Sequence, residues 1–111
     1  MAIIKTIPSR KIINGFALDT SEISIVSETY YQTNGESCIV VRGVVESTIV
    51  LDSKTTDHIV VKSMTRLTIK PDTGKIDEDY DEIVADMYAC IEFRFVGGNW
   101  YILSSDGLKQ S

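Results

Sequence analysis

The chain has 111 residues, of which 43% are hydrophobic and 24% are charged, as is typical of one globular domain. This composition excludes global disorder, and no apolar run approaches the roughly 18 residues that a membrane-spanning helix needs. A formal net charge of −5 disfavours binding to the phosphate backbone of nucleic acids. The N-terminal residues lack a basic segment followed by a long apolar one, so we expect no secretory signal. Neither a membrane nor a nucleic acid is therefore predicted as a partner.

Residues 1–13 are predicted to form an extended N-terminal arm. The segment contains five isoleucines, and Pro8 disfavours both a helix and a central strand. Such an arm either packs along its own domain or adds to the sheet edge of a neighbouring subunit. In the second case, the predicted contact residues are Ile3, Ile4, Ile7 and Arg10.

Strand patterns follow the arm. Residues Ser21 to Ser27 alternate between polar and apolar side chains, which is typical of a half-buried strand. The dipeptide Asn34-Gly35 favours a two-residue hairpin turn, because both residues tolerate positive φ. Residues Ser37 to Val45 are almost continuously apolar and β-branched, which predicts a strand covered on both sides. Gly43 within this run indicates a bulge or a close backbone approach.

The second half of the chain shows the same succession of strands and turns. Pro71 and Gly74 mark a turn, since proline fixes φ and glycine supplies a positive φ. Gly97-Gly98-Asn99 joins an alternating strand to an apolar one, and together they predict a hairpin. The segment from Asp79 to Tyr88 has roughly helical spacing, but we favour a loop that leads into another strand. The predicted strands are Ser47–Leu51, His58–Val61, Arg66–Lys70, Cys90–Val96 and Trp100–Ser104.

Short strands separated by turn residues predict an all-β fold. We expect a single-domain antiparallel β-sandwich or barrel-like module with an extended N-terminal arm. Its parts are predicted to be the arm (1–13), a β domain (14–107) and a flexible tail (108–111).

The reactive side chains form no recognisable catalytic pattern. Cys38 and Cys90 each lie in an apolar run, where thiols usually behave as small buried hydrophobes rather than as a disulfide pair. His58 is the single histidine, and the chain has no Gly-x-Ser-x-Gly turn that would present a nucleophile to it. We therefore predict that the protein is not an enzyme and uses no cofactor.

An acidic stretch between residues 77 and 86 is the only dense group of carboxylates. Calcium binds six to eight oxygen atoms, so Asp77, Asp79 and Asp81 are weak candidates for ligands. The stretch lacks both the spacing and the glycine of an EF-hand loop. We expect a solvated acidic loop without a metal, which could complement a basic partner.

Two pairs of adjacent aromatic residues are predicted to place one ring on each face of a strand. One ring of each pair then enters the core, and the other contacts a partner or stacks on a sugar. Tyr30 and Tyr31 are candidate partner-binding residues. Trp100 and Tyr101 are candidate ligand or interface residues.

The segment from Cys90 to Gly107 resembles a hairpin that recurs in virion proteins of tailed bacteriophages. In those proteins an alternating strand leads into an Asp/Gly-Gly/Thr-Asn-Trp turn, which is followed by Tyr and an apolar strand. Residues Leu67 to Asp77 are also similar to the Leu-Thr-Ile-Lys-Pro strand, glycine turn and Ile-Asp element that stand before that hairpin. The resemblance covers Thr48 to Gly107, about half of the chain.

The resemblance implies a small β module of head decoration proteins, head fibres or tail fibres, which are frequently trimeric and have no enzyme activity. Because the chain is short, we expect a capsid decoration protein that assembles in the host cytoplasm as a homotrimer. Its expected partner in the virion is the major capsid protein or another virion protein. The alternatives are a fibre, collar or tail-attachment component, and a carbohydrate-binding β module that uses Trp100 or Tyr101.

Overall fold

A computed structural model describes residues 23–109, whose regular secondary structure consists of strands. They form one sheet that curls into a nearly closed barrel, in the order β1-β3-β5-β7-β6-β4-β2, with β8 paired to β7. The prediction of an all-β, barrel-like domain is confirmed. The strands are β1 (Ile23–Val26), β2 (Tyr30–Gln32), β3 (Cys38–Val41), β4 (Glu46–Leu51), β5 (His58–Ser63), β6 (Arg66–Pro71), β7 (Ile83–Val96) and β8 (Asn99–Lys109).

Parallel pairing dominates the first six strands. β1, β3 and β5 stack in one parallel ladder, and β2, β4 and β6 stack in a second one. Each strand of the first ladder is followed in the chain by a strand of the second, so the chain repeats the same path three times. Among the described strands, antiparallel pairing, which the sequence predicted throughout, is found only where β7 meets β5, β6 and β8.

A bend at residues 42–45 separates β3 from β4, where the sequence predicted one continuous strand. Gly43 adopts φ +83°, and a Cβ atom there would lie 3.1 Å from Ser27 Oγ of the neighbouring bend. The close approach at Gly43 is therefore to the Ser27 side chain, where the sequence predicted a bulge or a neighbouring backbone. Val45, at the end of the bend, is 91% exposed, so the apolar run is not covered on both sides.

The segment at Asn34-Gly35 is a corner between the ladders and not a hairpin turn. β2 pairs with β4, whereas the next strand, β3, pairs with β1 and β5. Backbone and side-chain bonds join this corner to the next one: Thr33 N donates to Val50 O, and Asp52 N donates to Thr33 Oγ1, both at 2.9 Å. Stacked corners replace the predicted turn because parallel neighbours cannot be joined by a two-residue loop.

The core lies inside the barrel and is made by alternate residues of both ladders. The parallel register brings equivalent positions together, for example Ile49 beside Ile69. Trp100 is the largest side chain in this core and has no exposed surface. The core side chains are Val26, Ile39, Val41, Ile49, Leu51, Ile59, Val61, Leu67, Ile69, Ile76, Ile83, Ala85, Ala89, Ile91, Phe93 and Trp100.

β7 and β8 form the predicted hairpin, which closes the stacked strands. β7 pairs first with β6 and then with β5, and it is irregular between these two pairings. There the buried Ser63 hydroxyl donates to Asp86 O and accepts a bond from Ala89 N. The loop before β7 leads directly into the strand, as predicted. β8 continues to Lys109 and pairs Leu108 with Ala85, so the prediction of a tail beginning at residue 108 is wrong.

Candidate functional site

The tyrosine pair of β2 lies as the sequence predicts, with one ring on each face. Tyr30 is 60% exposed, whereas Tyr31 packs against the core and donates a hydrogen bond to the Glu36 carboxylate. This bond is the main reason why the pKa of Tyr31 is raised to about 12. Tyr30 is therefore the ring of this pair that is available to a partner. The other predicted partner-binding residues, Ile3, Ile4, Ile7 and Arg10, lie outside the described residues.

In the second aromatic pair, Trp100 and Tyr101, it is Trp100 whose ring lies in the core. Its ring centroid lies 5.3 Å from that of Phe95, and it has no exposed surface. A ring without exposed surface cannot stack on a ligand or a partner, so the predicted ligand or interface role is wrong for Trp100. Tyr101 faces outward and donates a 2.8 Å hydrogen bond to Glu78, which raises its pKa.

Two carboxylates of the acidic loop accept hydrogen bonds from neighbouring residues of the protein. Asp77 Oδ1 accepts a bond from Ile102 N at 2.9 Å, and Asp81 Oδ1 accepts one from Lys75 Nζ at 2.6 Å. Asp79 is exposed. Within residues 23–109, no three His, Cys, Asp or Glu side chains are grouped as a metal site requires. The structure therefore does not bring the three weak calcium candidates together.

The single histidine pairs with a carboxylate on the outside of the sheet. His58 Nε2 lies 2.6 Å from Glu92 Oε2, and Ser104 Oγ donates to Glu92 Oε1 at 3.2 Å. The carboxylate stands between the imidazole and the hydroxyl, so His58 is not placed to activate Ser104 as a nucleophile. The arrangement is a hydrogen-bonded pair across β5 and β7 rather than a catalytic triad.

We expect the Glu92 pair to contribute to stability at neutral pH and to lose that contribution in acid. The hydrogen bond from His58 holds the pKa of Glu92 below its ordinary value of 4.5. A carboxyl group whose pKa is lower in the folded state stabilises that state above the unfolded pKa, and this is lost as pH falls through the folded pKa. Urea unfolding of wild type and Glu92→Gln should therefore differ more at neutral pH than in acid. A difference that does not change with pH would contradict this assignment.

The two cysteines flank β5 on the outer side of the sheet, and both are free thiols. Cys38 is the register partner of Val60, and Cys90 is that of Lys62. Two strand spacings of about 4.8 Å separate their Cα atoms by about 10 Å or more, beyond the ~7 Å limit for a disulfide. Burial raises the pKa of both thiols, which lowers their reactivity.

An apolar patch lies on the outer side of β1 and β3 and reaches Val60 on β5, where His58 and Lys62 border it. Val26 and Ser24 point inward on β1, so its two isoleucines point outward; Ile23 is 37% exposed and Ile25 is 59% exposed. In the parallel register, Ile23 lies beside Cys38 and Ile25 lies beside Val40. Ile23, Ile25, Cys38, Val40 and Val60 together are called the outer apolar face. Contiguous apolar surface of this kind is typical of an interface.

A polar cleft of about 390 Å³ lies on the other ladder. It is lined by Thr29, Glu46, Ser47, Thr48 and Thr68. Thr48 and Thr68 are register partners on β4 and β6, and Tyr30 is the partner of Thr48 on β2. The exposed Tyr30 ring therefore stands beside the cleft, in the same transverse row of outward side chains.

Models of known protein families and curated proteins give no match to the sequence. The described residues include no helix with the length and apolar character needed to cross a membrane.

Sequence reasoning missed both the cleft and the outward direction of the β1 isoleucines. A signal for the cleft is present, since Thr48-Ile49 with Asp52 recurs 20 residues later as Thr68-Ile69 with Asp72. That spacing equals the register offset between β4 and β6. The repeat would have predicted stacked, equivalent strands and two threonines side by side.

Proposed function

We propose that the chain is a structural protein of a tailed-bacteriophage virion, assembled in the host cytoplasm. In this proposal it is a decoration protein that binds the outer capsid surface as a homotrimer. Its partner is the major capsid protein or another virion protein. The protein works through packing surfaces and catalyses no reaction.

The observation that carries this proposal is the outer apolar face. The isoleucines of β1 point away from the core although the inner side of the strand offers apolar neighbours. Fully burying an exposed isoleucine contributes roughly 1.5–3 kcal/mol, and these half-exposed side chains forgo a part of it. Covering this face with a neighbouring subunit recovers that free energy, and closed symmetry repeats the contact in every copy.

An unpaired strand edge adds a second means of association. Among the described strands, β1 pairs only with β3, and an edge of this kind can associate by strand addition. The predicted arm of residues 1–13 precedes this strand in the chain. We propose that the arm contacts a neighbouring subunit or the capsid.

The hairpin that carries the phage resemblance supports the proposal through its geometry. Gly97 and Gly98 form the turn with φ of +61° and +93°, and Trp100 follows directly as the buried anchor. These are the features on which the resemblance depends. The hairpin lies on the far side of β5 from the β1 edge.

Copy number in purified virions tests the proposal directly. Quantitative mass spectrometry should find this protein at a stoichiometry close to that of the major capsid protein. A handful of copies per particle would instead indicate a fibre, collar or tail-attachment component. Absence from the particles would overturn a virion role altogether.

Changing the outer apolar face should dissociate the oligomer. Ile25→Glu places a charge at the most exposed isoleucine of the face, and we expect the trimer to become a monomer in size-exclusion chromatography with light scattering. Val45→Glu is the matched control, because Val45 is 91% exposed and lies on the bend outside this face. Val45→Glu should leave the trimer intact. A trimer that survives Ile25→Glu would contradict the proposed interface.

Deleting residues 2–13 tests the arm separately from the face. We expect the shortened protein to keep its fold and to lose capsid attachment in a co-sedimentation assay. Attachment that persists unchanged would show that the arm makes no contact with the capsid.

A further inference from the structure

The polar cleft contains hydrogen-bonding groups that the protein does not use. The hydroxyls of Thr29, Thr48 and Thr68 and the carboxylate of Glu46 make no hydrogen bond or ion pair with another described residue. Ser47, at the base, differs because its hydroxyl donates to Glu28 O. Donors and acceptors that converge on one cleft without internal partners are available to a ligand.

Several carboxylates of the described residues are held by internal hydrogen bonds, whereas Glu46 is not. Glu36, Asp52 and Asp72 each accept bonds from neighbouring residues. Asp77, Asp81 and Glu92 do so too. Glu46 instead faces the cleft beside Thr48, two residues along the same strand.

Tyr30 supplies an apolar surface next to these polar groups. Its side chain is 60% exposed and is the register neighbour of Thr48. An aromatic face packs against the C–H groups of a sugar ring, while a carboxylate accepts bonds from two adjacent hydroxyls. A ligand that suits this cleft therefore has one apolar face and a rim of hydroxyl groups.

We propose that the cleft binds a neutral hexose, as part of a surface glycan. Tyr30 stacks on the ring, Glu46 accepts bonds from vicinal hydroxyls, and the three threonines complete the hydrogen bonding. A volume of about 390 Å³ falls within the range of small-molecule sites and accommodates a mono- or disaccharide. The site lies on the second ladder, whereas the outer apolar face lies on the first, so it is independent of the proposed assembly role.

Charge selects a neutral sugar over an acidic one. Glu46 lines the cleft, and the whole chain carries a net charge of −5. A sialylated or uronic-acid sugar would bring another carboxylate to this surface, and like charges repel. Neutral oligosaccharides are therefore the expected ligands.

An array of neutral and sialylated oligosaccharides, followed by NMR titration of the full chain with the neutral sugars bound best, tests the site. We expect binding of neutral hexose oligosaccharides and shifts of amide signals on β2, β4 and β6. Tyr30→Ala and Glu46→Gln should each weaken binding by about tenfold, because each removes a principal contact. No binding at millimolar sugar, or binding of sialylated sugars alone, would overturn the proposal.

Matched control variants distinguish the loss of a direct contact with the sugar from a general effect of the substitution on the protein. Tyr88→Ala removes a similarly exposed tyrosine, at 63%, that is not a register neighbour of a cleft residue as Tyr30 is. Glu82→Gln removes an exposed carboxylate that does not line the cleft. Both should bind sugar within about twofold of wild type. Equal losses in the control and the cleft variants would overturn the assignment, and thermal unfolding of each variant establishes that it is folded.

Discussion

Replacing Trp100 with alanine should lower the free energy of unfolding by about 3–5 kcal/mol, the usual cost of removing a buried tryptophan. Trp100 is the largest fully buried side chain of the described residues. Its ring packs against Phe95, and its backbone N–H donates to Lys75 O at 2.9 Å. The alanine variant would leave a cavity where β8 meets the loop before β7. Urea unfolding followed by far-ultraviolet circular dichroism measures the change without the tryptophan signal.

Leu103→Ala is the control for the same strand. Leu103 is 55% exposed on β8, so its truncation should change stability by no more than about 0.5 kcal/mol. Trp100→Phe keeps an aromatic ring in the core and should cost less than Trp100→Ala. Equal destabilisation by Trp100→Ala and Leu103→Ala would contradict the anchoring role of Trp100.

The β7–β8 hairpin could be predicted because its signals are local. Alternation in residues 90–96 fixes which side chains face inward, and two glycines supply the positive φ of the turn. A special backbone position at Gly43 was also predictable, since a glycine inside an apolar strand pattern usually marks a bulge or a neighbouring backbone, although the neighbour here is the Ser27 side chain. Both predictions depend on residues that are neighbours in the chain.

The parallel ladders could not be predicted in the same way. Parallel partners such as Ile39 and Val61 lie 22 positions apart, and no single segment shows which strand will lie beside it. Asn34-Gly35 predicts a hairpin turn, but the dipeptide tolerates the same positive φ at a corner between strands that do not pair. Gly35 does adopt φ +87°, but at a corner between the ladders. The local conformation was therefore predictable, whereas the partner strand was not.

The candidate surfaces depend on which side of each strand faces inward. An alternating pattern shows that a strand has two faces. When adjacent positions are both apolar, the pattern alone does not show which of the two faces the core. In β1, Val26 enters the core and Ile25 does not. The exposed position of Tyr30 follows from the same register, because its neighbour Tyr31 lies beside the buried Ile49. Exposed Ile25 and exposed Tyr30 are thus consequences of strand stacking.

Gly74→Ala should be among the most damaging single substitutions on the surface of this protein. Gly74 adopts φ +72°, and a Cβ atom there would lie 1.9 Å from Gly98 O in the hairpin turn. The turn that holds Gly74 is fixed to the hairpin, since Lys75 N donates to Asn99 Oδ1 at 2.9 Å. A left-handed conformation costs a non-glycine residue about 1–2 kcal/mol, and forcing an extra methyl group into a packed site adds about 1–3 kcal/mol. We expect the free energy of unfolding to fall by about 2–5 kcal/mol.

Gly97→Ala separates these two contributions. Gly97 has a similar φ of +61°, but a Cβ atom there would meet nothing within 4 Å. Its substitution should therefore carry only the conformational cost of about 1–2 kcal/mol. Chemical denaturation of both variants gives the steric contribution as the difference between them. If both lose the same stability, the loop and the hairpin can separate at no cost, and their contact does not help to hold the end of the barrel together. A larger loss for Gly74→Ala would show that this backbone contact fixes the hairpin, and with it Trp100, against the stacked strands.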